Sequence, residues 1–267
     1  FSLIGIPTND YPELPSVSGG FPISIKQGML KNMVKQTIFA VANNDLKPVH
    51  KGIKFELTEN NLRLISCDGF RLAIRNEIIA YTGEELTFVV PAKTLAEVVK
   101  LIEDEEENIA VSVGKKYILF EIGNYRIISR LFEGEFFNYK NAIPATCTTE
   151  ATVNVKLLLD SVDRISLLIP NKIKSPVRCV FDENTIKVSS ATTLGAANDI
   201  IPAAISGKRV EIGFNNAYLT DALRTVDIDE VKIELNSPVS PIIIKPLEGE
   251  DFIFLIIPMR LKNETIV

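Results

Sequence analysis

The sequence predicts an α+β protein built by repeating a β-α-β-β-β unit. Three observations carry this. Short apolar runs bounded by turn signals recur along the 267 residues. Stretches of helical periodicity interrupt them at regular places. The whole order then recurs: Phe1–Pro7 aligns with Arg126–Phe132 at an offset of 125 residues, and Ile6-Pro7 aligns with Ile257-Pro258 at about twice that. A period this long marks repeated domains rather than a short solenoid repeat.

Taken in order, Phe1–Pro7 reads as a strand, and residues up to 20 as a proline-punctuated connector. Such a strand has no partner within its own unit. Residue 1 is Phe, so the chain is expected to begin inside a longer one. Residues 26–42 read as a helix with Leu30, Val34, Thr37, Ile38 and Val41 as its apolar stripe. Gln27, Lys31 and Lys35 recur on another face, and Asn43-Asn44-Asp45 ends the helix in turn-forming residues. Strands follow at 54–57, 62–67, 71–78 and 86–90. Pro91 suits the first turn of a helix over 92–104, whose apolar face is Leu95, Val98, Val99 and Ile102. Strands at 109–113, 117–122 and 125–131 close the unit.

The same order returns over 153–155 (strand), 156–168 (helix), 178–181, 185–190, 196–202 and 209–214 (strands), and 216–226 (helix). Strands at 231–235, 242–244 and 252–257 finish it. The predicted organisation is therefore 1–20, the end of one unit; 21–145, a second unit; and 146–267, a third.

Composition limits the function. Net charge is −5, which argues against a strongly basic nucleic-acid binder. No apolar run reaches the roughly 18 residues of a membrane span, and no signal peptide is visible, so a cytoplasmic protein is expected. Cys67, Cys147 and Cys179 are odd in number and widely spaced, which implies neither a disulfide framework nor a zinc site. There is one histidine, His50, and no Gly-rich phosphate loop or nucleophile–base pair. No cofactor, metal or catalytic residue is expected.

The most informative stretch is Ser66-Cys67-Asp68-Gly69-Phe70-Arg71-Leu72-Ala73. Asp-Gly between apolar runs predicts a hairpin, and its turn carries an aromatic ring and a guanidinium, as interaction anchors do. The segment Ile256-Ile257-Pro258-Met259-Arg260-Leu261 is a second apolar-plus-Arg element, expected to converge with the hairpin on one groove.

Four motifs together resemble the bacterial sliding clamps, the beta subunits of DNA polymerase III. Cys67-Asp68-Gly69-Phe70-Arg71-Leu72-Ala73 resembles Thr-Asp-Gly-His-Arg-Leu-Ala. Phe136-Phe137-Asn138-Tyr139 is similar to Phe-Pro-Asp-Tyr. Gly213-Phe214-Asn215-Asn216-Ala217-Tyr218-Leu219 resembles Gly-Phe-Asn-x-x-Tyr-Leu, and Ile257-Pro258-Met259-Arg260-Leu261 resembles Met-Pro-Met-Arg-Leu. The resemblance covers essentially the whole chain. It implies DNA-clamp domains in a head-to-tail homodimeric ring, with helices on the inner face and antiparallel sheets outside. Of the first domain only the last strand and connector would be present.

The resemblance also implies a processivity factor without catalysis. It would encircle duplex DNA regardless of sequence and tether the replicative polymerase, the clamp loader and repair proteins through short peptides of the Gln-Leu-x-Leu-Phe kind. The implied peptide groove is walled by Cys67, Gly69, Phe70, Arg71, Leu72, Phe137, Asn141, Ala142, Lys174, Asn215, Tyr218, Val239, Leu255, Ile256, Ile257, Pro258, Met259 and Arg260. Phe70, Phe137 and Lys174 depart from the family's pattern, where His, Pro and often an aromatic stand. Candidates to face DNA are Lys31, Lys35, Asn44, Lys47, Lys93 and Lys100, and Leu168 and Ile169 are candidates for the dimer contact. The competing reading is a β-rich interaction adaptor that shares the groove but encircles no DNA.

Overall fold

In the computed structural model the described residues are 1–10, 15, 17, 20–43, 47–169 and 175–261. Lys174, Asn44 and the tail beyond Leu261 lie outside them. Among the described residues the chain forms one α+β unit twice. The first unit runs β1 (Phe21–Lys26), α1 (Gln27–Ile38), β2 (Gly52–Thr58), β3 (Asn61–Cys67), β4 (Arg71–Ile78), β5 (Leu86–Pro91), α2 (Ala92–Lys100), β6 (Asn108–Val113), β7 (Tyr117–Ile122) and β8 (Tyr125–Arg130). The second runs β9 (Thr149–Asn154), α3 (Val155–Ser166), β10 (Val177–Asp182), β11 (Thr185–Thr192), β12 (Gly195–Pro202), β13 (Ala204–Gly207), β14 (Val210–Phe214), α4 (Asn216–Thr225), β15 (Glu230–Leu235), β16 (Ile242–Lys245) and β17 (Phe252–Ile256).

Each unit makes two antiparallel half-sheets by the same connectivity. β1-β6-β7-β8 in the first corresponds to β9-β15-β16-β17 in the second, and β5-β2-β3-β4 corresponds to β14-β10-β11-β12. Strand alternation explains the layering: β7 buries every second residue, and β6 buries the residues opposite them, Val111 against Phe120 and Val113 against Ile118. Helices cover that side. α1 packs on α2, α3 on α4, and α1 on α4 across the two units, so the four helices form one continuous row against the sheets.

The units fuse through one strand pair. β17 runs antiparallel to β4, with Phe252 opposite Arg75 and Ile256 opposite Arg71, giving a nine-stranded sheet that spans both units. Asn76 reinforces the seam, its backbone N–H donating to Asp251 O at 2.7 Å and its Nδ2 to Glu250 O at 2.6 Å. On the helix side, buried Gln36 of α1 donates through Nε2 to Thr225 O at 3.2 Å, and Phe39 meets Phe254 edge to face at 5.2 Å. Ala40 and Ala73 of the first unit consequently belong to the second unit's core.

Local chemistry fixes the helix starts. Asn154 and Asn215 cap α3 and α4, their side-chain oxygens accepting from Leu157 and Ala217 N–H at 3.0 Å. α1 and α2 follow Lys26 and Pro91 without a side-chain cap, and α2 has Pro91 just before its first turn.

The structure corrects the sequence in four places. Phe1–Pro7 forms no ladder here: its residues are exposed, and among the described residues no strand pairs with them. Gln27 is buried rather than part of a polar face, because α1 turns its start against the backbone of Glu105 and Glu107. The α1 stripe also includes buried Met33 and Gln36, while Ile38 and Val41 are only half-buried. β13, an edge strand on β9, carries no apolar alternation that could have announced it.

Candidate functional site

The hairpin between β3 and β4 is where the two units meet. Its loop residues are Gly69 and Phe70, closed by Asp68 N–H donating to Arg71 O at 3.3 Å. Gly69 has φ +88°, which only glycine adopts without strain. Asp68 shapes the tip: its Oδ1 accepts from the N–H groups of Phe70 (2.9 Å) and Arg71 (3.0 Å). Phe70 is thereby held outward, 57 % exposed.

Arg71 ties this hairpin to α4. Its Nε donates to Asp68 Oδ2 at 3.0 Å and its Nη1 to Asp221 Oδ2 at 2.6 Å. The guanidinium carbon lies 4.6 Å from the Tyr218 ring centre and 5.5 Å from that of Phe39. Arg71 is itself buried, so its charge is balanced on two sides and covered on two others. Tyr218 stacks under Phe70 at 6.1 Å. Burial, with the Asp68 and Asp221 carboxylates adding to it, raises the phenol above its ordinary value, so Tyr218 stays neutral.

The C-terminal segment completes the seam. Ile257 N–H donates to Phe70 O at 2.9 Å, extending the β4–β17 ladder to the hairpin tip. Two residues later Met259 N–H donates to Gly213 O at 2.8 Å, so the chain crosses to the edge of β14. A Cβ on Gly213 would stand 2.6 Å from Leu261 Cδ2 and 2.8 Å from Met259 O, so only glycine lets the segment pass. Beyond this crossing lies a cavity of about 330 Å³, bounded by Met259–Leu261 and by β10, β11 and β12.

Of the residues expected to wall a groove, Phe70, Tyr218, Ile257 and Met259 are brought together at the surface by these contacts. Cys67, Leu72 and Leu255 are instead floor: they are buried in a small core with Ile65, Ile74, Tyr139 and Ile243, against which Ala142 packs. Ile256 is fully buried in the second unit's core. Strand pairing turns these side chains inward, which the motif does not reveal. Phe137 (44 % exposed) and Asn141 lie on the connector between the units, and Val239 (70 %) on the β15–β16 loop. Asn215 serves as the α4 cap. Asp221 and Phe39 escaped sequence reasoning. Asp221 lies one helical turn from Tyr218, which is the signal that could have found it.

The lysines divide into two groups. Lys31 pairs with Glu105 at 2.5 Å and Lys100 with Glu97 at 2.9 Å. Lys35 and Lys93 are exposed without an ion pair among the described residues, and Lys47 is exposed beside the short turn Pro48–Lys51. At the end of α3, Ile169 is core and Leu168 half-buried, because the last turn winds them under the sheet; Leu167, 83 % exposed, is what this end presents to solvent. Cys147, Glu150 and Glu234 bring ligand-type atoms within 4.8 Å of one another, and Lys245 lies 2.5 Å from Glu234, neutralising it. Among the described residues no helix is long and apolar enough to cross a membrane.

Two like units sharing a sheet, with one row of helices on the opposite side, make this a protein of the sliding-clamp class. The sequence profile of the DNA polymerase III beta subunit, central domain, matches residues 24–138, and that of its C-terminal domain matches residues 140–260. The chain is 31 % identical to the beta sliding clamp of Staphylococcus aureus over 262 residues, 97 % of this chain and 70 % of that protein. The Staphylococcus epidermidis beta sliding clamp is 30 % identical over the same span. Among solved structures, a putative DNA polymerase III beta subunit from Eubacterium rectale superposes with a TM-score of 0.93 at 34 % identity, covering 98 % of this chain and 71 % of that one. The Bacillus subtilis DNA polymerase sliding clamp gives 0.93 at 28 % identity, covering 96 % and 69 %. The chain belongs to the DNA polymerase III beta subunit family.

Arg71 gives the first prediction. Arg71→Met leaves Asp68 and Asp221 facing an apolar side chain and is expected to cost about 2–4 kcal/mol in urea denaturation. Asp221→Asn, at a half-exposed position, is expected to cost under about 1 kcal/mol. Equal costs would show that Arg71 is not the hub described.

Proposed function

We propose that this chain is a non-catalytic processivity factor that works in the cytoplasm as part of a ring around duplex DNA. Partner proteins dock short peptides on the seam between its two units. The observation that carries this reading is the seam itself. Phe70 and Ile257 stand exposed beside Tyr218 and Met259, on a frame held by strand pairing and by the buried Arg71. An apolar surface on a rigid frame, rimmed by a few polar groups, is what a peptide with apolar and aromatic anchors requires. Met259, unbranched and polarizable, suits several partners. The polymerase, clamp loader and repair proteins are the partners this surface would serve in turn.

Encirclement of DNA is supported by the helix row. Its exposed Lys35 and Lys93, which have no ion pair among the described residues, can contribute a weak phosphate attraction independent of sequence, while the overall charge of −5 keeps DNA from other surfaces. Lys31 and Lys100 already have carboxylate partners and contribute less. The contact between copies would use the exposed Leu167 beside Leu168 rather than Ile169.

Two outcomes are expected. A labelled Gln-Leu-x-Leu-Phe peptide should bind with about micromolar affinity, and a Met259→Ala, Arg260→Ala variant should lose at least about tenfold of it. A peptide that binds both chains equally would remove the seam as the site. For DNA, duplex binding by anisotropy at low salt should weaken in Lys35→Glu, Lys93→Glu and change much less in Lys31→Gln, Lys100→Gln. Binding that ignores all four lysines would favour the adaptor reading, in which no DNA is held.

A further inference from the structure

The cavity beyond Met259 has a chemistry that the seam does not share. Its floor is the outward face of β10, β11 and β12. The strand register sets Gly213, Arg178, Ser189 and Asn198 in one row across the sheet. Met259 joins the end of that row by its hydrogen bond to Gly213. Lys187 follows two residues before Ser189 on the same face of β11. The remaining residues of this face are small: Ala191 and Ala196, paired across β11 and β12, leave the space open.

Three of the lining residues are cationic, Arg178, Lys187 and Arg260, and none is acidic. In a chain with net charge −5 this is a local reversal of sign. The surrounding carboxylates are already engaged. Glu211 is shared by Arg178 and Arg209, Asp182 lies 3.4 Å from Arg209, and Asp199 points to the helix side, where it pairs with Arg164. Lys187 and Arg260 have no ion pair among the described residues. Hydroxyl and amide groups of Ser189 and Asn198 stand beside them as further donors.

We propose that this cavity is a carboxylate subsite continuous with the seam: a partner peptide anchored there carries acidic residues beyond its apolar anchors, and Lys187, Arg260, Ser189 and Asn198 receive them. The inference rests on the docking reading above and adds a charge requirement to the partner. Met259 borders the cavity and follows Ile257 of the seam by two residues, so one linear segment can span both places. Acidic extensions recognised by clustered cations add specificity and speed of encounter more than raw affinity.

The test uses three peptides with the same apolar anchors, one unextended and two carrying Asp-Asp at one end or the other. Each is titrated against the chain and its Lys187→Glu and Lys187→Arg variants, with the backbone amides of Ser189 and Asn198 followed by NMR. One acidic peptide is expected to bind about threefold to tenfold tighter than the unextended one at low salt. Lys187→Glu should abolish that gain, Lys187→Arg should keep it, and the two amides should move only with the acidic peptide. No gain from either extension, or a gain that survives in Lys187→Glu, overturns the inference. If the unextended peptide does not bind at all, the docking reading fails separately. The amides then decide: shifts with the acidic peptide that vanish in Lys187→Glu sustain the subsite, and their absence overturns it. A duplex oligonucleotide that moves the same amides more strongly than the acidic peptide would make the cavity a phosphate site and also overturn it.

Discussion

Antiparallel pairing of β4 with β17 is the constraint on which the rest depends. Each unit alone would leave a strand edge unpaired at that place, and open edges recruit other strands. Here the edge of the first unit is closed by the last strand of the second. The pairing fixes the register of Arg71 against Ile256 and of Leu72 against Leu255. It therefore fixes where the hairpin tip stands relative to the segment from Ile257 to Leu261. The helices follow the same frame: α1 can reach α4 only because the sheets beneath them are one sheet.

Within that frame the electrostatics are arranged by burial. Arg71 is enclosed and doubly paired, so it acts as a fastener and leaves recognition to the exposed Phe70 beside it. Arg178 is tied to Glu211, whereas Lys187 and Arg260 remain open to solvent around a cavity without acids. The distinction matters because a satisfied cation holds structure, while an unsatisfied one at a concave surface attracts anions. The same division separates Lys31 and Lys100 from Lys35 and Lys93 on the helix row.

Much of this was legible in the sequence. β4 and β7 fall where alternation and the Asp-Gly turn put them; α1, α2 and α4 lie within their predicted stretches, and α3 starts one residue before its own. Period and turn chemistry are local, so they place elements well, although the stripe read for α1 missed buried Met33 and Gln36. The motifs also led to Phe70, Tyr218, Ile257 and Met259. What sequence could not show was direction. Leu72, Leu255 and Ile256 share a motif with exposed neighbours, yet strand pairing turns them into the core. Ile169 was a candidate for the contact between copies only through the family resemblance, and it is buried in the second unit's core. The cavity left no signal at all, since its walls come from four separate strands and segments and exist only because Gly213 admits the crossing chain. β13 was missed because an edge strand with one covered face needs little apolar content.

The central claim is that two units form one body through a single strand pair. Native-state hydrogen exchange of the β4 and β17 amides tests it most directly. If the seam is integral, the ladder amides from Leu72 to Arg75 and from Phe252 to Ile256 should exchange as slowly as the slowest core amides of β3 and β16, opening only with global unfolding. Exchange of these amides through a much cheaper opening, while β3 and β16 stay protected, would contradict the account. The units would then be separable bodies, and the hairpin tip and C-terminal segment would not share a fixed geometry.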